Sequence, residues 1–312
     1  MKPRVLVSAP YAMPIIDSYR AKLEAAGCEV VVAQVGERLS EEELLPLVGD
    51  IDGIICGDDK ITERVLAAAP KLKVISKWGT GIDSIDQVSA AKRGVAVRNT
   101  PNAFSEPLAD HVLGFMLLFA RKFDVMDADI RAGRWVKPQL SSLGEATLGI
   151  IGVGDCGKAI ARRALAFGMR VLGNDIVEMP RNFLAATSIE MTDRESLLRQ
   201  ADFITINTTL NPSSHRLIDD AAFLMIKPTA YLVNCSRGPV VEEAALARAL
   251  ESGRLAGAAL DVYENEPLPE NSPLKRLKNC WLSPHNANSS PHAAQRVHDN
   301  TIRNLLEGLR LR

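Results

Sequence analysis

The chain has 312 residues, 46% of them apolar, and this length fits two domains better than a single compact core. It carries 37 Lys and Arg against 38 Asp and Glu, so its net charge of −1 gives no sign of a nucleic-acid or anionic-membrane partner. A small-molecule ligand is favoured instead. The N-terminus runs into a strand-like segment without the apolar stretch of a signal peptide, and no run reaches the roughly 18 residues of a membrane span. These features predict a cytoplasmic protein.

The cysteines give no sign of a disulfide framework or a metal site. They are five in number and scattered, with no CxxC motif and no ligand-like spacing to a histidine. The sequence therefore predicts free thiols and no structural zinc.

Short β-branched runs alternate with helical segments along the first hundred residues, which is typical of parallel α/β layers. The predicted strands lie at 5–7, 29–32, 52–56, 72–76 and 95–97. Four helices are predicted. Three lie near 14–26, 62–69 and 84–93, and a further one begins at the capping box of Ser40 and Glu43. Five strands already make a domain.

A long apolar helix is predicted at 106–121, and a second β/α series follows it. Its predicted strands lie at 147–152, 170–174, 202–207, 230–236, 257–262 and 280–284. A last helix at 291–309 is separated from the first domain by the whole second one. The pattern alone allows this helix to pack on either domain.

The strongest motif is a glycine-rich turn between the strand at 147–152 and the helix that follows. Gly152, Gly154 and Gly157 form GxGxxG, and Asp175 ends the next strand 18 residues beyond Gly157. In this pattern the glycines permit a tight turn, a close approach of a pyrophosphate and close helix–strand packing, while the acid accepts hydrogen bonds from a ribose. The negative charge of Asp155 near the phosphates implies that its side chain points away. The motif predicts a dinucleotide-binding domain.

Reactive side chains follow three later strands of the same series. Arg237 follows the strand at 230–236, Asp261 ends the next strand with Glu266 shortly after it, and His285 follows the last strand. Because the carboxyl ends of parallel strands meet at one edge of a sheet, these side chains are expected to converge there. An arginine, a carboxylate and a histidine gathered in one crevice predict a functional site there, because three unrelated surface residues would have to coincide by chance.

At these residues the sequence resembles the D-isomer-specific 2-hydroxyacid dehydrogenases, and in particular their phosphoglycerate dehydrogenase-like branch. The matching segments are 79–86, 99–111, 152–157, 234–267 and 283–287. The resemblance implies an α/β fold of two doubly wound parallel-sheet domains, with a Rossmann NAD domain inserted into a flavodoxin-like substrate domain. It implies a substrate domain of residues 1–98 plus 286–312 and an NAD domain of residues 99–285.

The resemblance also implies the roles of individual residues. The catalytic trio falls on Arg237, Glu266 and His285. Contacts to NAD are implied for Thr80, Gly152, Gly154, Asp155, Cys156, Gly157, Asp175, Thr208, Cys235, Ser236, Arg237, Asp261, His285 and Asn288. Contacts to the substrate are implied for Lys77, Trp78, Gly79, Thr80, Gly81, Arg237 and His285. At the end of the predicted strand at 202–207 the family frequently has a His and a Pro where this chain has Asn207 and Thr209, so the family's adenine-side contacts do not carry over directly, whereas the catalytic trio is unaffected.

The expected substrate is an unphosphorylated 2-keto acid such as glyoxylate or hydroxypyruvate. Relatives that use 3-phosphoglycerate place an Arg shortly before a Lys-[Ile/Val]-Thr segment, whereas this chain has Asp58 and Asp59 before Lys60. Phosphoglycerate dehydrogenase is the alternative enzyme. From another class, corepressors of the family keep the trio and bind NADH to control partner assembly, so an NAD(H)-sensing scaffold is a further alternative. Family members pair the helix at 106–121 and the loop after it with a second subunit, and a homodimer is expected.

Overall fold

A computed structural model describes residues 2–311, so Met1 and Arg312, the outer ends of the predicted substrate domain, lie outside the described residues. The chain divides into two compact units. Unit 1 comprises Met1–Ala103 and Ser290–Arg312, and unit 2 comprises Phe104–Ser289. Both crossings fall a few residues later than predicted. Thr100 N donates to Gly79 O at 2.9 Å and holds the first linker to unit 1, while Ala287 N donates to Asp261 and holds the second to unit 2.

Unit 1 is built on a five-stranded, wholly parallel sheet in the order β2-β1-β3-β4-β5. Its strands are β1 (Arg4–Val7), β2 (Glu29–Val32), β3 (Gly53–Cys56), β4 (Val74–Lys77) and β5 (Ala96–Arg98). The central strands are buried on both faces, as Ile54 and Ile55 show, which explains their unbroken apolar sequence. The strand order reverses between β1 and β3, as in flavodoxin-like sheets.

The C-terminal helix belongs to unit 1, which decides the point that the sequence pattern left open. Ser76 Oγ donates to Thr301 O at 2.8 Å, and a Cβ added at Gly308 would lie 2.4 Å from a Val74 methyl. The helix therefore lies directly on β4. The α-helices of this unit are α1 (Ile16–Ala25), α2 (Glu41–Leu44), α3 (Glu63–Ala67), α4 (Gln87–Lys92) and, at the C-terminus, α12 (Pro291–Gly308).

Unit 2 contains a seven-stranded parallel sheet in the order β12-β11-β10-β9-β6-β7-β8. Its strands are β6 (Thr147–Ile151), β7 (Arg170–Asn174), β8 (Glu190–Met191), β9 (Phe203–Ile206), β10 (Tyr231–Asn234), β11 (Gly257–Leu260) and β12 (Cys280–Leu282). Six of the seven were predicted. The edge strand β8 was missed because it has only two residues, both exposed, and pairs only with β7.

Helices cover both faces of this sheet. Neighbouring residues of β6 point to opposite sides, with Ile150 in the core cluster that contains Val112 and Ile160 and Ile151 in the cluster that contains Leu246. The α-helices of unit 2 are α5 (Ser105–Arg121), α6 (Phe123–Arg131), α7 (Asp155–Ala166), α8 (Arg181–Ala186), α9 (Arg194–Gln200), α10 (Asp220–Met225) and α11 (Glu243–Glu251). Helix α6 was not predicted; it begins after Lys122, whose left-handed backbone (φ 46°) ends α5.

The predicted fold class is confirmed. The order of the sheet in unit 2 reverses between β6 and β9, and doubly wound sheets of this kind bind dinucleotides at the point of reversal. All five cysteines lie within the described residues and are free thiols, as predicted. Within residues 2–311, no helix combines the length and hydropathy that a membrane crossing needs.

Candidate active site and cofactor cradle

Two of the three motif glycines are required by the packing of unit 2 itself. Gly152 follows β6 with φ +90°, and a Cβ there would lie 2.8 Å from the backbone of Asn207. A Cβ at Gly157 would lie 2.2 Å from Gly152 O, which is far inside van der Waals contact. These glycines let the turn reverse sharply and bring α7 against the strand, as the motif predicts.

Gly154, the middle glycine of the motif, has no such packing role among residues 2–311. A Cβ at Gly154 would meet no described atom within 4 Å, and Gly154 precedes α7 without a side-chain cap. The first-turn N–H groups of a helix lack intrahelical partners and attract anions. The side chain of Asp155 is exposed. The turn therefore fits a pyrophosphate, with the space at Gly154 left for close approach.

Asp175 ties the end of β7 to the glycine turn. Its Oδ2 accepts a hydrogen bond from Val153 N at 2.6 Å, and its Oδ1 accepts one from Val177 N at 2.9 Å. Each carboxylate oxygen keeps a second lone pair for a ribose hydroxyl. The next side chain, Ile176, is 92% exposed and carries no charge.

The remaining predicted cofactor residues occupy both units. Thr208 Oγ1 donates to Thr209 O at 3.2 Å, and Ser236 Oγ donates to Asn234 Oδ1 at 2.8 Å. Burial raises the pKa of the Cys156 thiol, whose Sγ contacts Ser105 Oγ at 3.8 Å. Burial raises the pKa of the Cys235 thiol well above its usual value, and Asn288 is half-buried at the end of unit 2. Thr80 is exposed in unit 1, where its Oγ1 donates to Thr100 O.

The predicted catalytic histidine and glutamate are in contact. His285 Nδ1 lies 3.0 Å from Glu266 Oε2, and both side chains are largely buried. The other oxygen, Glu266 Oε1, accepts a hydrogen bond from Tyr263 N at 3.0 Å. With Nδ1 directed at the carboxylate, Nε2 is the ring nitrogen on the side of the imidazole away from Glu266.

The loop that carries His285 is organised by a buried carboxylate. Asp261 accepts hydrogen bonds from Ser283 Oγ, from Asn286 N at 2.9 Å and from Ala287 N at 2.8 Å. The backbone oxygen of Asp261 accepts a hydrogen bond from His285 N at 2.8 Å, and His285 has a left-handed backbone with φ +50°. A non-glycine residue in this region must be held there by its surroundings.

Sequence reasoning missed Ser283 and His111, which extend this network. His111 Nε2 lies 3.2 Å from Ser283 Oγ, and the His111 ring packs edge-on against Phe115. The two residues are 172 positions apart, and no spacing or motif in the sequence links them.

Arg237 begins the turn after β10, and this turn touches the loop that bears Glu266. A Cβ at Gly238 would lie 1.9 Å from the carbonyl carbon of Tyr263 and 2.4 Å from Glu264 N. The backbone O of Arg237 accepts a hydrogen bond from Asn234 Nδ2 at 3.0 Å, and Arg237 Nη1 donates to Ser236 O at 2.9 Å. Unit 2 therefore brings all three members of the trio to one edge of its sheet.

The loop after β4 in unit 1 holds the residues predicted to bind substrate. Gly79 has φ +114°, which suits only glycine, and Gly81 is half-buried. The ammonium of Lys77 is buried, where it pairs with Asp58 at 3.2 Å and donates to Trp78 O at 2.9 Å. A substrate contact from Lys77 stays a prediction, and the ammonium is already engaged within unit 1.

Trp78 lies in an aromatic cluster of unit 1. Its ring stacks on Tyr11 at 4.2 Å, and its Nε1 donates to His298 Nδ1 at 3.0 Å. Tyr19 OH also lies 2.7 Å from His298 Nδ1. Because an indole can only donate, His298 accepts at Nδ1, and burial lowers its pKa in keeping with the neutral form.

A dinucleotide cradle and, on the same sheet edge, a histidine–glutamate pair and an arginine define the class of nicotinamide-dependent dehydrogenases. No group of metal-ligating side chains occurs among residues 2–311. The family model described as D-isomer specific 2-hydroxyacid dehydrogenase, NAD binding domain, matches residues 113–287. The chain belongs to this family, and it is an NAD-dependent oxidoreductase acting on 2-hydroxy acids.

Individual relatives agree with this membership. The chain is 38% identical over 291 residues to a glyoxylate reductase of Thermofilum pendens, covering 91% of this chain and 86% of that protein. It is 38% identical over 280 residues to D-3-phosphoglycerate dehydrogenase of Rattus norvegicus, covering 89% of this chain and about half (52%) of that relative. Among solved structures, the TT0316 protein from Thermus thermophilus is 35% identical to this chain, with a TM-score of 0.85. The match covers 98% of this chain and 97% of the TT0316 chain.

The contact at Gly238 predicts that even a methyl group there disrupts the trio. In Gly238→Ala the new Cβ would overlap the Tyr263–Glu264 peptide, so the turn that bears Arg237 must separate from the loop that bears Glu266. We expect kcat/KM to fall by about 100-fold, because misplacing catalytic groups by about 1 Å costs on that order. Gly36→Ala is the control, since a Cβ there meets nothing within 4 Å. Equal activity of both variants would contradict the contact.

Proposed function

We propose that this enzyme reduces a small unphosphorylated 2-keto acid, such as glyoxylate or hydroxypyruvate, to the D-2-hydroxy acid with NADH. The observation that carries the proposal is the 3.0 Å contact of His285 Nδ1 with Glu266 Oε2, on the same sheet edge as the glycine cradle. Relatives named glyoxylate reductase support the choice of substrate, at 38% identity in Thermofilum pendens and 36% in Korarchaeum cryptofilum.

His285 and Glu266 supply the proton. Glu266 accepts Nδ1–H and stabilises the imidazolium, so His285 carries its transferable proton on Nε2. That proton goes to the C2 oxygen of the keto acid. Bound NADH supplies the hydride to the C2 carbon.

Arg237 supplies the positive charge. Its planar guanidinium suits a bidentate grip on the substrate carboxylate and withdraws electron density from the C2 carbonyl. Substrate contacts from Trp78, Gly79, Thr80 and Gly81 are part of the same proposal and rest on the family resemblance.

The side chains around Lys60 support an unphosphorylated substrate, although not by the simple repulsion expected from two neighbouring carboxylates. Asp59 is fully buried, its Oδ2 accepts Ser8 Oγ at 2.6 Å, and burial raises its pKa. Lys77 is the cation at the start of the predicted substrate loop, and its charge is already paired with Asp58. A phosphate would have to compete with Asp58 for that ammonium, and charged hydrogen bonds of this kind contribute on the order of 1.5–3 kcal/mol.

The catalytic assignment predicts that His285→Ala keeps NADH binding and loses most of its turnover. General acid–base help contributes roughly 10²–10⁴ in rate, whereas the cradle that would hold the dinucleotide lies at Gly152–Gly157. Stopped-flow reduction of glyoxylate and NADH fluorescence titration measure the two effects separately. Wild-type turnover in this variant would remove His285 from the proton transfer.

The substrate proposal predicts that glyoxylate or hydroxypyruvate gives a higher kcat/KM than 3-phosphohydroxypyruvate. A panel of keto acids followed by NADH absorbance at fixed enzyme concentration makes the comparison. The variant Asp58→Asn serves as an internal check, because it removes the carboxylate that pairs with the Lys77 ammonium. It should reduce the difference in kcat/KM between the unphosphorylated and the phosphorylated acid. A preference of the wild type for the phosphorylated acid would favour phosphoglycerate dehydrogenase instead.

The environment of Asp175 predicts a preference for NADH over NADPH. A 2′-phosphate would meet the carboxylate that binds Val153 N and Val177 N, next to the uncharged Ile176. We expect kcat/KM to favour NADH by roughly 10-fold or more, and Asp175→Ala to reduce that ratio. A wild-type preference for NADPH would refute this assignment.

A homodimer and a cytoplasmic location belong to the same proposal. Helix α5 buries one side within unit 2, and the segment after it, residues 123–136, exposes apolar side chains that include Phe123, Ile130 and Trp135, the last 79% exposed. We expect light scattering at micromolar concentration to give a dimer mass and Trp135→Glu to lower it. Leu224→Glu, at an apolar residue 73% exposed on α10, should leave the dimer intact. A monomeric wild type would end the dimer proposal.

A further inference from the structure

Two glutamates outside the predicted trio hold each other by reciprocal backbone hydrogen bonds. Glu264 Oε1 accepts the N–H of Glu243 at 3.1 Å, and Glu243 Oε1 accepts the N–H of Glu264. We call this pair the glutamate clasp. It joins the first turn of α11 to the loop after β11, although the two residues are 21 positions apart.

The clasp supplies what the start of α11 lacks. Helix α11 begins at Glu243, and the residue before it, Glu242, makes no side-chain cap. The first N–H groups of a helix need outside acceptors, and a carboxylate is favoured there by the helix dipole. The carboxylate of Glu264 therefore caps α11 from a distant loop.

The clasped loop is the one that presents the catalytic carboxylate. Tyr263 precedes Glu264; its N–H donates to Glu266 Oε1 at 3.0 Å, and its hydroxyl donates to Ser283 O at 2.8 Å. Glu266 in turn contacts His285. Holding the backbone of Glu264 in place therefore also constrains the neighbouring Tyr263 N–H, which orients Glu266. Through Glu266, it constrains the imidazole of His285.

The arrangement is electrostatically costly. Burial raises the pKa of Glu243, and the neighbouring charges of Glu264 and Glu266 raise it further. Three carboxylates so close together repel one another, and an apolar contact between α11 and the loop would avoid that cost. A role in holding the loop, rather than in filling space, accounts for the acid at residue 243.

We propose that Glu243 is a positioning residue for the proton-transfer pair, acting through the Glu264 backbone on Glu266 and His285. The proposal rests on the proposed function, because it takes Glu266 and His285 to be the pair that moves the proton. The proposal predicts that removing the Glu243 carboxylate lowers kcat only while Glu266 is present.

The first experiment compares three variants of the whole enzyme. Glu243→Ala removes the acceptor for Glu264 N and should lower kcat by about 10- to 100-fold, with the Kd for NADH unchanged within about 2-fold. Glu243→Gln keeps an oxygen that can accept this N–H and should stay within about 3-fold of wild-type kcat. Glu242→Ala is the matched control, because it removes the adjacent carboxylate, which does not cap α11. If Glu243→Ala fails to bind NADH, Glu264→Ala replaces it, since it removes the other half of the clasp.

The second experiment is a double-mutant cycle with Glu266→Gln. If Glu243 acts through Glu266, Glu243→Ala should lower kcat by no more than about 3-fold in the Glu266→Gln background. The same 10- to 100-fold loss in both backgrounds, wild-type kcat in Glu243→Ala, or failure of Glu243→Gln to restore turnover would overturn the proposal. Wild-type activity of Glu266→Gln and His285→Ala would instead overturn the proposed function and leave the clasp a structural contact.

Discussion

The buried carboxylate of Asp261 is the interaction on which the candidate active site depends. A buried charge is tolerated only where donors surround it, and here the donors are a hydroxyl and two backbone N–H groups of residues 283–287. The requirement to satisfy this charge holds that loop in one conformation. The position of His285 depends on this loop. Its left-handed backbone is held on one side by a hydrogen bond to the Asp261 carbonyl and on the other side by the loop itself.

The sheet of unit 2 then decides which loops can meet. Strands β10, β11 and β12 are neighbours in consecutive parallel register, so the loops after them leave the sheet at the same edge. The absence of a side chain at Gly238 brings the first two loops into backbone contact. Arg237, Glu266 and His285 are thus gathered by strand order and close packing, in loops that hydrogen bonds and backbone contacts hold to the sheet edge.

Unit 1 holds the loop predicted to bind substrate with residues from the opposite end of the chain. Ser76 and Trp78 flank the end of β4, and both are bonded to α12, through Thr301 O and His298 Nδ1 respectively. The Lys77 side chain turns into the same unit and pairs with Asp58. These contacts hold the end of β4 and the loop after it in one arrangement within unit 1.

The sequence by itself determined the parallel α/β class, six of the seven strands of unit 2 and the glycine-rich turn, since periodicity and motif spacing are local properties of the chain. The assignment of Arg237, Glu266 and His285 as a catalytic trio rests on the family resemblance and stays a prediction. The sequence did not show β8, because a two-residue exposed edge strand leaves almost no pattern, nor did it separate α6 from α5, because the two helices are divided only by the left-handed Lys122. The periodicity of the last helix left its position open and the resemblance implied it, and the tertiary structure shows α12 on β4 of unit 1. Only the tertiary structure decided the contacts of Asp261, His111, Lys77 and Glu243. These contacts, together with those of α12, join residues up to 279 positions apart, and their energies depend on burial and geometry that no linear spacing encodes.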